Sequence, residues 1–291
     1  MIAMIALTVA LAVVVGISLG LLGGGGSILM VPLLTYIAGM DAKQAIATSL
    51  LVVGVTSTVS TITHARAGRV QWRSGVLFGA AGMAGAYIGG LVGHLLPGSV
   101  LLIGFAAMMI ASAVAMLRRR TPTTPAPAPH RTPIGKALAL GTAVGLLTGI
   151  IGAGGGFVVV PTLALLAGLA MPVAVGTSLL VIAMNALAGL AGQATSLSVD
   201  WKMAAMVTAA AVLGSLIGAR LTARVDADVL RAAFGWFVLA MASVILAEEV
   251  HPAVGIAVAG LTVAAASYRH GRTRFIRLSV QPAAQPLATA T

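Results

Sequence analysis

Nine apolar segments separated by short polar stretches make up most of this 291-residue chain. They run at 1–38, 44–63, 74–96, 99–118, 135–168, 173–194, 203–222, 229–247 and 252–268. Most are about 20 residues long, which is the length that an α-helix needs to cross the ~30 Å hydrocarbon layer of a membrane. The pattern predicts an all-α polytopic membrane protein.

The first and fifth segments are too long for one crossing. A helix of about 38 residues would extend roughly 57 Å, well beyond the hydrocarbon layer. Each segment contains a glycine cluster, at 20–26 and at 149–156. Because glycine accepts backbone conformations that other residues avoid, we predict that each segment breaks there into a hairpin or re-entrant element, followed by three transmembrane helices.

The two halves of the chain share one register. Residues 10–116 align on residues 139–245 at a constant offset of 129 without a gap. Matching positions include Pro32 with Pro161, Thr48-Ser49 with Thr177-Ser178, Trp72 with Trp201, and Phe105 with Phe234. Two homologous repeats of this kind are typical of secondary transporters, whose substrate site lies where the repeats meet. The predicted division is repeat one at 1–118, a basic Pro-rich linker at 119–134, repeat two at 135–247, a further transmembrane segment at 252–268 and a basic tail at 269–291.

Basic residues predict that the repeats are inverted. The loop after the second segment holds Arg66, Arg69 and Arg73, whereas its counterpart holds only Asp200 and Lys202 as charged residues, and the bias is reversed in the next loop. Basic loops stay on the cytoplasmic side. The linker and the tail are therefore predicted to be cytoplasmic. The alternative is a parallel four-plus-four arrangement, which would put one strongly basic loop on the opposite side.

The amino-acid composition limits the kinds of partner that the chain is expected to have. With 59% hydrophobic and 8% charged residues, the chain is expected to lie in a lipid bilayer. The net charge of +11 is spread over loops and tail, so it indicates topology rather than a nucleic-acid partner. There is no cysteine, and no pattern indicates a metal or another cofactor. Glycine-rich helix faces permit a homodimer without requiring one.

Charged side chains are missing from the middle of the predicted spans. The six acids lie in loops or at span ends: Asp41, Asp200, Asp226, Asp228, Glu248 and Glu249. Cation transporters and proton pumps usually place carboxylates inside the membrane. The sequence therefore favours a small anionic substrate, which backbone N–H groups at helix N-termini, hydroxyls and amides can bind.

The candidate substrate-binding residues lie in the two glycine clusters and in the spans that follow them. After each break, a short helix beginning near Ser27 or Gly156 would direct its N-terminus at the midplane. The full set is Gly23, Gly25, Gly26, Ser27, Thr48, Ser49 and Thr56 in repeat one, and Gly152, Gly154, Gly155, Gly156, Thr177, Ser178 and Asn185 in repeat two. As alternatives, the hydroxyls bond to their own helices and the glycines form breaks without contacting a ligand.

Two further residue pairs and Ser27 have simpler explanations. Trp72 and Trp201 are expected to anchor span ends at the membrane surface. His64 and His94 are placed at span ends, where a role in proton coupling is the less favoured interpretation. Ser27 has no evident general base nearby, so an intramembrane enzyme is disfavoured and no catalytic residue is predicted.

The paired Gly-x-x-Gly-x-Gly-Gly runs, which begin at Gly20 and Gly149 and are followed by Pro32 and Pro161, resemble those of the TauE/SafE family of sulfite exporter-like permeases. A downstream Thr-Ser-Leu in each half and the basic linker add to the resemblance, which extends to about Glu248. It implies export of sulfite, organosulfonates or related small anions across a bacterial cytoplasmic membrane. We therefore predict a multi-pass secondary transporter that works by alternating access. The alternatives are an anion channel and a permease for a different small organic anion.

Overall fold

A computed structural model describes residues 2–93, 95–118, 134–151, 159–160, 162–163, 169, 171–193, 199–221, 227–250, 257 and 260. Every regular element within these residues is a helix, which confirms the all-helical prediction. The second glycine cluster, the linker, His94, most of the ninth apolar segment and the tail lie outside the described residues. The predictions made for them stay predictions.

The described residues form nine α-helices, one 3-10 helix and one π-helical turn. They are α1 Ile2–Leu22, a 3-10 helix Gly23–Leu29, α2 Met30–Pro32, a π-helical turn Leu33–Ile37, α3 Ala42–Arg66, α4 Trp72–Gly93, α5 Gly98–Arg118, α6 Ile134–Ile151, α7 Met171–Gly192, α8 Trp201–Leu221 and α9 Ala227–Glu249. In the part of the chain that the structure describes, five stretches are long and apolar enough to cross a membrane: Ala3–Leu22, Ala42–Arg66, Trp72–Gly93, Pro172–Gly192 and Trp201–Leu221. The chain is thus a multi-pass membrane protein.

The helix boundaries follow the offset seen in the sequence. The helices α3, α4 and α5 begin at Ala42, Trp72 and Gly98, and the helices α7, α8 and α9 begin 129 positions later. The last residues of α1 and α6 are separated by the same offset. Helix boundaries therefore fall at matching positions of the two halves.

The first apolar segment forms a hairpin that turns at Gly23. This residue has a φ of 72°, a left-handed conformation that favours glycine. The chain then returns along α1, because Gly26 packs against Val15 and Leu19. The returning arm begins at Gly23 rather than near Ser27 as expected, since a run of four glycines forms a tight 3-10 helix directly after the turn.

Contacts between small residues join α1 to α8 and, at matching positions, α6 to α4. A side chain at Gly16 or Gly20 of α1 would overlap the backbone of Ala211 or Ser215 in α8. Matching overlaps occur between α6 and α4, at Gly145 with Gly82 and at Gly149 with Ala86. In both pairs the contact positions rise together along the two helices, so each pair runs parallel.

At the centre of the molecule, α3 and α7 cross in opposite directions. Leu50 lies beside Gly189, and His64 lies beside Gly176, so position numbers fall on α7 as they rise on α3. These two helices are the most buried of the five candidate spans. These two helices begin 129 positions apart and have opposite directions.

Two apolar cores surround this crossing. The larger one joins α1, α3, α5, α8 and α9, and its fully buried side chains include Leu19, Leu50, Phe105, Met109 and Ile245. The smaller one lies between α4, α6 and α7 and includes Phe78, Val144 and Val181. Large apolar side chains also cover the outer surface, as expected for helices that face lipid.

The two ends of the bundle differ in charge. The helix directions bring most of the described basic residues to one end, which we call the arginine-rich end: Arg66, Arg69, Arg73, Arg118, Lys136, Arg220 and Arg231, with Asp228 as its one described acid. The opposite end holds Asp41, Lys43, Asp200, Lys202, Glu248 and Glu249. Trp72 and Trp201 begin helices at opposite ends and are 56% and 68% exposed, in agreement with the prediction of surface anchors.

Candidate functional site

The crossing of α3 and α7 brings Thr56 and Asn185 to one level near its centre. Both side chains are 1% exposed. Among the described residues, neither the Thr56 hydroxyl nor the two polar atoms of the Asn185 amide has a hydrogen-bond partner. Leaving a buried polar atom unpaired costs roughly 1–3 kcal/mol, so a ligand that paired these atoms would offset a cost that the fold carries.

The shape of α4 leaves room for the Asn185 amide. A Cβ at Gly82 would overlap both polar atoms of that amide. The position that matches Gly82 in the second half is Ala211, and the position that matches Asn185 in the first half is Thr56, which has a smaller side chain. Gly82 was not among the predicted site residues, because its role depends on a neighbour about 100 positions away in sequence.

A second set of predicted residues meets nearer the arginine-rich end. A Cβ at Gly23 would lie 3.0 Å from Ser178 Oγ and 3.1 Å from Val175 Cγ1. The glycine turn of the first half therefore packs against the Thr-Ser element of the second. Sequence reasoning predicted both elements, but it did not predict that they touch across the two halves.

Several predicted hydroxyls already have structural partners. Ser178 Oγ donates to the Val175 carbonyl at 2.8 Å, and Ser27 Oγ donates to the Gly24 carbonyl at 2.7 Å. Thr177 Oγ1 accepts the Gln71 backbone N–H at 2.9 Å, which ties α7 to the start of α4. Ser27 and Ser178 thus bond to their own helices, as in the alternative given above, whereas Thr177 joins two parts of the bundle.

The remaining predicted residues fall into three groups. Thr48 is fully buried without a described partner, toward the opposite end of α3 from His64, and Ser49 is fully buried beside it. Gly25 and Gly26 belong to the returning arm of the hairpin. Gly152, Gly154, Gly155 and Gly156 lie outside the described residues, so their convergence on the site stays a prediction.

The structure also shows a polar row on α3, formed by Thr56, Ser57, Ser60 and His64, of which only Thr56 was among the predicted site residues. All four side chains are at most 2% exposed, and none of their polar side-chain atoms has a partner among the described residues. His64 was expected at a membrane edge, but α1 and α7 cover it. The signal in the sequence is the spacing of three and four residues, which places these side chains on one helix face.

Buried, uncharged polar groups at a central helix crossing in a multi-pass chain are what a membrane transporter of small polar solutes requires. The family described as "Sulfite exporter TauE/SafE" matches residues 8–245. The chain belongs to this family, which confirms the resemblance seen in the glycine motifs.

Related proteins carry transporter names. A "Probable membrane transporter protein" of Xylella fastidiosa (strain 9a5c) is 37% identical over 234 residues, which cover 78% of this chain and 89% of that protein. The "Probable membrane transporter protein YdhB" of Bacillus subtilis (strain 168) is 28% identical over 221 residues, covering 75% of this chain and 90% of the relative. No solved structure matches the chain at a significant level.

Proposed function

We propose that this protein is a secondary transporter that exports a small anion, namely sulfite, an organosulfonate or a related sulfur oxyanion, by alternating access. Membership of the sulfite exporter family supports the substrate class. The observation that carries the proposal is the pair Thr56 and Asn185, whose polar atoms are buried and unpaired at the centre of the bundle.

The chemistry of this pair fits an oxyanion. A hydroxyl and an amide NH₂ offer three N–H or O–H donors, and a sulfite or sulfonate group offers acceptor oxygens on one face. No acid of the described residues lies near the crossing, since those acids are at the helix ends. The anion would therefore meet donors without a repelling carboxylate.

The arginine-rich end is proposed to face the cytoplasm, because basic loops remain on that side during insertion. Its arginines would raise the local concentration of anions at the entry side of an exporter. A potential that is negative inside favours outward movement of an anion by ~2.3 kcal/mol per charge per 100 mV. Export therefore needs no coupling ion. The bacterial relatives make a bacterial cytoplasmic membrane the proposed location.

Alternating access is proposed to arise from two inverted repeats. Three observations support this arrangement: the common offset of helix boundaries, the opposite directions of α3 and α7, and the matching contacts of α1 with α8 and of α6 with α4. If the two halves exchanged conformations, the site at their crossing would open first to one side and then to the other. Whether the protein forms a homodimer stays a prediction.

The test is uptake of radiolabelled sulfite into proteoliposomes at imposed potentials of both signs, with sulfate, taurine and sulfoacetate as competitors. Thr56→Val and Thr58→Val form a matched pair on α3. The Thr58 hydroxyl donates to the Gly54 carbonyl at 2.7 Å on the surface side of the helix. We expect saturable, potential-dependent flux that Thr56→Val lowers and Thr58→Val leaves unchanged.

Two outcomes would contradict the proposal. Absence of flux for every anion tested, in folded wild-type protein, would remove the substrate claim. Flux that does not saturate and exceeds carrier rates would indicate an anion channel.

A further inference from the structure

The polar row on α3 continues from Thr56 toward the arginine-rich end. Ser57 and Ser60 are fully buried and His64 is 2% exposed, and among the described residues the two hydroxyls and both ring nitrogens lack hydrogen-bond partners. Successive polar groups lie about one helical turn apart. The row therefore connects the level of the crossing with the end of α3.

The matching row on α7 is different. Its residues are Asn185, Ala186 and Gly189 on α7 and Gln193 directly after it, so it has no hydroxyl and no titratable group. Gln193 Nε2 lies 3.4 Å from the Gly149 carbonyl and donates to it. Gly149 is the counterpart of Gly20, whose backbone lies close to His64. In the second half, the Gln193 side chain thus donates to Gly149. In the first half, His64 lies close to the matching glycine without a well-formed hydrogen bond.

The charged surroundings of His64 are basic. The helices α1 and α7, which cover it, contain no titratable side chain. The charged groups nearest to it along the chain and on packed elements are Arg66, Arg69 and, at the end of α8, Arg220. Asp228 at the start of α9 is the one described acid at this end, and it lies on a helix that packs mainly on α5.

We propose that the α3 polar row is the cytoplasmic branch of the anion path, and that His64 binds the anion and takes up a proton together with it. A proton on His64 would add a buried charge that no described acid compensates, whereas an anion beside it would supply that charge. This inference rests on the proposed function and adds to it a proton-linked subsite.

The first experiment compares wild type with His64→Gln, which introduces the residue found at the matching position of α7. Sulfite uptake is measured at equal pH on both sides of the membrane, from about pH 5.5 to pH 8.5, a range centred near the ordinary pKa of histidine. Sulfite itself gains a proton in this range, so the result is the ratio of the two rates, in which substrate speciation cancels.

We expect the wild-type rate to exceed the variant rate about tenfold at the acidic limit, as for loss of a hydrogen bond to a charged group, and to approach it at the alkaline limit. A ratio that does not change with pH would overturn the inference while leaving the proposed function in place. If His64→Gln does not fold, Ser60→Ala replaces it. That variant should raise the KM for sulfite several-fold, and an unchanged KM would count against the row.

The second experiment does not depend on transport. A variant that keeps His64 as its only histidine is labelled with ¹⁵N-histidine and titrated by NMR in detergent, with and without methanesulfonate, whose charge does not change in this pH range. We expect the anion to raise the titration midpoint by about one pH unit, a tenfold change in proton affinity. An identical midpoint with and without methanesulfonate would overturn the inference, even for a protein that transports.

Discussion

The helices α3 and α7 occupy the same place in the two halves of the molecule, cross each other at the centre, and carry different chemistry. Gly54 on one helix and Gly189 on the other allow close contact at the crossing. Away from these contacts, α3 carries a row of buried hydroxyls and an imidazole without described partners, whereas the matching row of the second half holds Asn185, Ala186, Gly189 and Gln193.

This difference separates packing from binding. Positions that match between the halves, such as Gly16 with Gly145 and Gly85 with Gly214, lie where two backbones touch. Positions that differ, such as Thr56 with Asn185, are buried and polar without partners. A transporter needs two similar halves to open in both directions, whereas the residues that bind its substrate can differ between the halves. The following predictions test this separation.

The largest effect is expected for Gly145→Leu, because the new side chain would meet the backbone of Gly82 in α4. Overpacking costs roughly 1–3 kcal/mol when side chains can move aside, and here a backbone is in the way. We expect loss of folded protein in size-exclusion chromatography and thermal unfolding in detergent. Gly104→Leu in α5 is the control, since nothing lies within 4 Å of its Cβ position. Equal stability of the two variants would contradict the packing role.

Replacement of Asn185 by leucine is expected to affect transport without loss of stability. The amide has no partner to lose among the described residues, and exchange of such a group for an apolar one of similar shape is nearly neutral. We expect sulfite kcat/KM to fall about 30-fold or more, against about fivefold for Thr56→Val, which removes one polar atom. If the variant unfolded at a much lower temperature and its folded fraction kept the wild-type kcat/KM for sulfite, Asn185 would serve packing instead.

A smaller effect is expected for Gly82→Ala, which would push the Asn185 amide away from α4. We expect sulfite flux to fall several-fold in protein that still unfolds cooperatively. Gly79→Ala on the same helix provides the matched control. Its Cβ would meet the end of the Met184 side chain, which is flexible and can move. Similar flux in the two variants would show that the position of the amide does not matter.

The smallest effects are expected for Ser27→Ala and Ser178→Ala. Both hydroxyls donate to carbonyls of their own helices, so their removal leaves no buried donor unpaired and changes little in the site. We expect less than a twofold change in sulfite flux and in KM. A tenfold rise in KM for either variant would indicate that its serine binds the substrate.

Much of the fold could be predicted from the sequence. Apolar runs define the spans, because a helix must satisfy its backbone within the membrane. Glycine runs define the break, although the turn at Gly23 lies four residues before the expected start of the returning helix. The candidate site was harder to predict. Thr56 and Asn185 were identified, whereas Gly82, Ser57 and His64 were not assigned to it.

The sequence by itself determined the membrane environment, the all-helical class, the family, and the hairpin in the first half, because each depends on hydropathy or on local backbone freedom within a few residues. The tertiary structure decided which polar residues are buried, which hydroxyls already have partners, and that a glycine of α4 makes room for an amide of α7. These features depend on contacts between positions about 100 residues apart, and local sequence patterns carry no information on such distances.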